Sequence, residues 1–216
     1  MKKDSVDGVI KFHQELIPAG PLEIRAIAEL EVWRMLLYQE ELIGVYPTGI
    51  GYGNVSRRCR EGGFIVTGSQ TGGRALMDGR HYSRVIMYDP ADDRLIAKGP
   101  IEASSESPTH WALYRASPDI NFVFHSHSQV MWDYCRRFDI PMTREDVKCG
   151  TPEMAEEVQR LYGDTRVRDT GIFGMGGHRD GMMTFGRTSF ETGRRMMKYF
   201  FQARLARRID SLRKAS

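Results

Sequence analysis

From Leu22, apolar residues recur mostly three and four positions apart through Ile24, Ile27, Ala28, Leu30, Val32, Leu36 and Leu37. That period predicts an amphipathic helix to about Glu41, with Pro21 where a helix start tolerates it. The pattern then changes character. The stretch YPTGIGYGNVSRRCREGGFIVTGSQTGG, from Tyr46 to Gly73, sets eight glycines between short β-branched runs, which predicts strands joined by tight turns. Two strand-like runs between Tyr82 and Ala97 flank an Asp-Pro-Ala-Asp-Asp turn and predict a hairpin. SSESPTHWALYRAS starts a helix that Ser104 or Ser105 can cap, with Pro108 in its first turn. INFVFHSHSQ reads as a strand from its β-branched and aromatic content. Further helices are expected from Gln129 to about Phe138 and from Thr151 to Tyr162. The strand and turn GIFGMGGHRDGMMTFG follows, then one long helix from about 189 to 214. Helices flanking a central mixed or antiparallel sheet predict a three-layer α/β/α domain.

Composition narrows the class. With 216 residues, 41% of them hydrophobic, the chain can bury a core and form a cleft as one domain, and no repeat or low-complexity linker divides it. No apolar run approaches the ~20 residues of a membrane helix, and MKKDSVDGVIKFHQ lacks the apolar core of a signal peptide, so a cytoplasmic protein without membrane contact is expected. Cys59, Cys135 and Cys149 form no CxxC pair and read as reduced, incidental thiols. The net charge of +3 conceals an asymmetry: residues 194–216 hold eight Lys or Arg against one acid, leaving −4 for the remainder.

His125 and His127 stand two apart on a predicted strand, so both imidazoles face one side, a spacing that suits two ligands of one metal. His178, in a glycine-rich turn about fifty residues later, is the natural third ligand. Two surface histidines at a strand end are the simpler alternative. Glu106 falls in the first turn of its helix, where the helix dipole favours a carboxylate, so it reads either as a cap or as an acid/base. His110 lies one turn further on the same face, suited to support a ligand or to pack. Ser104 and Ser105 can cap the helix or cradle an anion at its N-terminus.

Taken in order, GNVSRR (53–58), IVTGSQTGG (65–73), ASSESPTH (103–110), FHSHS (124–128) and GGHRDG (176–181) resemble the class II aldolase/adducin family, over residues 22–200 or so. The resemblance implies that fold and a three-histidine site (His125, His127, His178) for a divalent metal, zinc first. It makes Glu106 the acid/base, and Asn54, Ser104 and Ser105 the grip on a substrate phosphate together with a Thr-Gly pair. Thr71-Gly72 matches that pair better, with Thr67-Gly68 four residues away still open. The implied reaction is aldol cleavage of a small phosphorylated keto-sugar through a metal-stabilised enediolate. Epimerases, dehydratases and decarboxylases share the scaffold, and an adducin-like interaction domain is the non-enzymatic alternative. The family also implies a homotetramer.

Two departures stand out. A charged pair, Arg179-Asp180, follows His178, where Arg179 can bind substrate or simply pair with Asp180. After Ile140-Pro141, where the sugar-phosphate aldolases carry a proton-donating tyrosine, there are only Met142, Thr143, Arg144 and Glu145. Tyr162 and Tyr199 are the substitutes considered. On the basic last helix, Met197, Phe201, Leu205, Ile209 and Leu212 form an apolar stripe. Packing on the body or on another subunit is expected of it rather than nucleic-acid binding.

Overall fold

The computed structural model describes residues 9–164 and 166–215. The first eight residues of the leading segment, read above as lacking a signal peptide, lie outside them. Eight strands form one sheet: β1 (His13–Pro18), β4 (Asn54–Arg58), β5 (Phe64–Thr67), β6 (Tyr82–Asp89), β7 (Arg94–Gly99), β8 (Phe122–His127), β9 (Ile172–Gly174) and β10 (Gly181–Gly186). Their order is β1-β7-β6-β5-β4-β8-β10-β9, and β2 (Gly44–Val45) and β3 (Gly51–Tyr52) pair separately. All neighbours in the large sheet run antiparallel except β1, which lies parallel to β7. The sheet is therefore mixed because of β1, a strand ahead of the region where the sequence pattern begins.

Alternation along the strands explains the layers. Phe64, Val66 and Val123 face one core with α2 (Ser107–Ala116), α4 (Pro152–Asp164) and α5 (Val167–Thr170). Ile65, Phe122 and Phe124 face the other, with α1 (Ile24–Gln39), α3 (Gln129–Asp133) and α6 (Ser189–Lys214). The three-layer α/β/α expectation holds. Among the described residues no helix is long and apolar enough to cross a membrane.

Two local expectations need correction. The helix expected to reach Phe138 stops at Asp133. Tyr134 and Cys135 already make i→i−3 bonds, Asp139 takes φ 53°, and Pro141 disfavours helix just before it. Helix α2 begins at Ser107 with Glu106 as its N-cap, and that carboxylate makes no capping bond. Ser104 Oγ instead accepts the Glu106 N–H at 3.3 Å, in the turn leading into the helix. Helix α6 buries Met196, Phe200, Ala203 and Ala206, whereas Phe201, Leu205, Ile209 and Leu212 of the expected stripe are exposed.

Candidate functional site

Strand β8 ends on the two histidines, between β4 and β10. Asn54 of β4 is paired with His125, and Gly181 of β10 with His127. The turn between β9 and β10 returns His178 to them, and the N–H of Ser128 donates to the Asp180 carbonyl at 2.8 Å, tying the end of β8 to that turn. Gly177 is required there: a Cβ would overlap the Val147 carbonyl. The three rings lie with centroids 4.7 to 5.3 Å apart, and all three residues are buried. Nε2 of His125 and Nε2 of His127 are 3.1 Å apart. Two imidazole nitrogens on one tetrahedral zinc stand about 3.3 Å apart for Zn–N distances of about 2.0–2.1 Å, so this donor set fits a divalent ion.

Outer contacts orient the same rings. His125 Nδ1 lies 3.2 Å from the Met182 carbonyl, and as the donor it leaves the Nε2 lone pair to ligate. His127 Nδ1 lies 2.7 Å from the Tyr46 hydroxyl. Tyr46 escaped the sequence reading; the only signal was a pair of aromatic residues inside a glycine-rich turn segment. Its partner Tyr52 packs against it at a tilt, ring centroids 4.6 Å apart, lies 5.3 Å from the His127 ring, and donates its own hydroxyl to the Glu41 carbonyl.

Glu106 is buried, its Oε1 3.9 Å from His178 Nδ1. Thr109 Oγ1 donates to Oε2 at 3.0 Å. Cys149, expected to be incidental, places its sulfur in one cluster with Glu106 and His178, their ligand atoms within 4.8 Å of one another. Lys11 Nζ donates to the Cys149 carbonyl at 3.0 Å. Burial, then the Glu106 charge, push the Cys149 thiol up, against His178 and Lys11. Adjacency of Cys149 to the site was invisible in sequence because the loop carrying it is placed by α2 and α4.

One cleft collects the remaining expected residues: Asn54, Thr71, Gly72, Ser104 and Ser105 line it with Glu106 and the three histidines. Of the two Thr-Gly pairs, Thr71-Gly72 lines it through both members. Thr67 points its hydroxyl at the Val55 N–H (3.3 Å) and only Gly68 reaches the cleft. Gly72 admits no side chain, since a Cβ would strike the Gly44 carbonyl. Gln70 also lines the cleft and accepts the Gly51 N–H at 2.9 Å.

The substitutes for the absent tyrosine are elsewhere. Tyr162 packs 6.0 Å from Phe185, Tyr199 sits under Lys198, and neither lines the cleft; nor do residues 142–145. Arg179 donates to Gln129 Oε1 at 3.0 Å, lies 3.8 Å from Asp180, and is absent from the lining. His13 lies on β1 and His81 next to Asp78, and neither lines the cleft.

A family model described as the class II aldolase and adducin N-terminal domain matches residues 47–206. The chain belongs to the class II aldolase and adducin family. Among solved structures it resembles L-fuculose-1-phosphate aldolase of Thermus thermophilus (TM-score 0.67, 19% identity, 89% of this chain and 97% of that one). It also resembles a sugar-phosphate aldolase of Thermotoga maritima (TM-score 0.60, 16% identity, 87% and 96% covered). At those identities the likeness shows the shared fold. In sequence, 85 residues are 34% identical to methylthioribulose-1-phosphate dehydratase of Sorangium cellulosum. The match spans 39% of this chain and 38% of that relative.

Proposed function

We propose that this protein is a divalent-metal-dependent lyase, with zinc as the resident ion, acting by aldol cleavage on a small phosphorylated keto-sugar. The supporting observation is the convergence of His125, His127 and His178 with the buried Glu106 carboxylate in a cleft lined by hydroxyls and glycine backbone. The same convergence disfavours a non-catalytic, adducin-like role. When bound, the cation supplies Lewis acidity to the substrate carbonyl oxygen. Glu106 acts as the proton acceptor and donor beside that carbonyl. Thr109 occupies its Oε2, so Oε1 is the oxygen that exchanges the proton. Asn54, Thr71, Ser104 and Ser105 orient the phosphate, with the Gly72 backbone near it and the first turn of α2 adding its positive end.

A second reading, dehydration of the same substrate class, draws support from the methylthioribulose-1-phosphate dehydratase relative and from the absence of residues 142–145 from the cleft. In aldol cleavage the β-hydroxyl gives up its proton as the carbon–carbon bond breaks, and Glu106 delivers a proton to the carbon left beside the carbonyl. In dehydration Glu106 first takes the proton from that carbon and then gives it to the β-hydroxyl, which leaves as water as the carbon–oxygen bond breaks. The test is metal analysis of purified protein and NMR product analysis on phosphorylated ketoses. Wild type is expected to carry one divalent ion per chain, and His125→Ala to lose both ion and turnover. Two carbonyl fragments identify aldol cleavage; an intact carbon skeleton short of one water identifies dehydration. A metal-free wild type, or a fully active His125→Ala variant, refutes the metal-dependent reading altogether.

A further inference from the structure

At the ends of β4 and β8 away from the histidines lies a second concavity, a groove of about 890 Å³ beside the start of α1. Arg57 and Phe122, a register pair on its floor, stand three residues along their strands from the Asn54–His125 pair, roughly 10 Å at the rise of a strand. Six arginines line it: Arg25, Arg57, Arg58, Arg60, Arg84 and Arg187. Only Glu29 and Glu61 among the lining residues oppose them. All six lie outside the basic last helix, in the part of the chain whose net charge is −4, so the concentration of positive charge comes from the fold and not from composition.

Four of the six are partly engaged. Arg25 meets Glu23, Arg84 meets Glu61 at 3.0 Å, and Arg187 meets Asp119 at 2.7 Å. Arg58 donates to the carbonyls of Ile120, Tyr114 and Ser117, and burial lowers its pKa. Arg57 and Arg60 have no carboxylate within 4.0 Å among the described residues, and the Nε of Arg57 is buried with no hydrogen-bond partner there. Guanidinium groups gathered in this way repel one another, and their planar forks match phosphate oxygens two at a time.

We propose that this groove binds a small polyanion carrying two or more linked phosphates, held by Arg57 and Arg60 with the remaining arginines around it. Its size suits one small ligand, and its remaining lining, including Leu22, Ala26, Ile65 and Phe122, offers no row of exposed aromatics on which successive bases of a nucleic acid would stack. The proposal uses no residue of the histidine cleft, so it stands or falls separately from the lyase reading.

Calorimetric titration of the metal-loaded protein with inorganic tripolyphosphate tests it. Expected are one equivalent bound per chain, affinity that falls as salt rises, and binding retained by His125→Ala. The exposed Arg60→Gln should weaken binding about tenfold, as loss of a charge-assisted contact does, and Arg57→Gln at least as much. Orthophosphate should bind more weakly than tripolyphosphate. No saturable heat at low salt, or equal affinity for wild type and both variants, overturns the proposal. So does tighter binding of a single-stranded oligonucleotide, which assigns the groove to nucleic acid. A change of oligomeric mass on Arg60→Gln together with absent tripolyphosphate binding assigns it to a contact between copies and likewise overturns it.

Discussion

His110 shows how one side chain links the site to stability. It is fully buried one turn beyond Glu106 and stacks on Phe64, with Nδ1 2.6 Å from Ser56 Oγ, which in turn lies 2.7 Å from the Tyr114 hydroxyl. Burial, and then the neighbouring His125, hold its pKa well below the usual histidine value. The unfolded chain therefore takes up a proton near pH 6.5 that the folded chain resists, so stability is full above that pH and is lost as pH falls. In chelator-treated protein, the unfolding free energy from urea titrations should fall between pH 6.5 and 5.5 by about 1 kcal/mol more for wild type than for His110→Asn. Equal slopes would contradict a buried neutral His110. The motifs gave its place on the helix face of Glu106. They gave no hint of Ser56 as its partner, because β4 and α2 stand 54 residues apart at this contact and meet only in the folded chain.

At the scale of elements, the loop that carries Thr71 and Gly72 is fastened to α1 by charge. Arg34 is 1% exposed and reaches both oxygens of Glu31 at 2.7 Å, and it donates to the carbonyls of Arg74 and Ala75. Glu31 also accepts from the Tyr82 hydroxyl at 2.6 Å and the Met77 N–H at 2.9 Å. Removing one partner leaves the other charged and buried. Arg34→Ala is expected to cost about 3–5 kcal/mol by denaturant unfolding. A loss below ~1 kcal/mol, the range of exposed pairs, would show that water reaches Glu31. Periodicity found α1 but misassigned part of its face. Ile24, Val32 and Leu36 are exposed, while Glu31 and Arg34 share the buried side with Ile27, Leu30 and Leu37. A hydropathy pattern counts charges as outward, and here their partners come from a segment some forty residues away.

Across the whole molecule, the α6 stripe has the same origin. Its small residues, Ala203 and Ala206, are buried with Met196 and Phe200, leaving Phe201, Leu205 and Leu212 exposed by 50, 62 and 60%. Exposed apolar rows of this kind mark association surfaces. We expect wild type to scatter light as an oligomer at micromolar concentration and Leu205→Glu to shift it towards the 24.7 kDa monomer. A monomeric wild type would refute this. The linear sequence by itself determined the layered α/β class, the order of most elements, and the cleft's identifiable members: two histidines two apart, a carboxylate at a helix start, and a histidine in a glycine turn. Those features are set by local periodicity and backbone freedom, which neighbouring residues decide. Only the tertiary structure decided that Thr71-Gly72 rather than Thr67-Gly68 lines the cleft, and that Tyr46 and Cys149 lie against its histidines. It alone gathered six arginines from an acidic body into one groove. Each of these depends on strands and helices distant in sequence being brought within contact range, and sequence spacing carries no record of that.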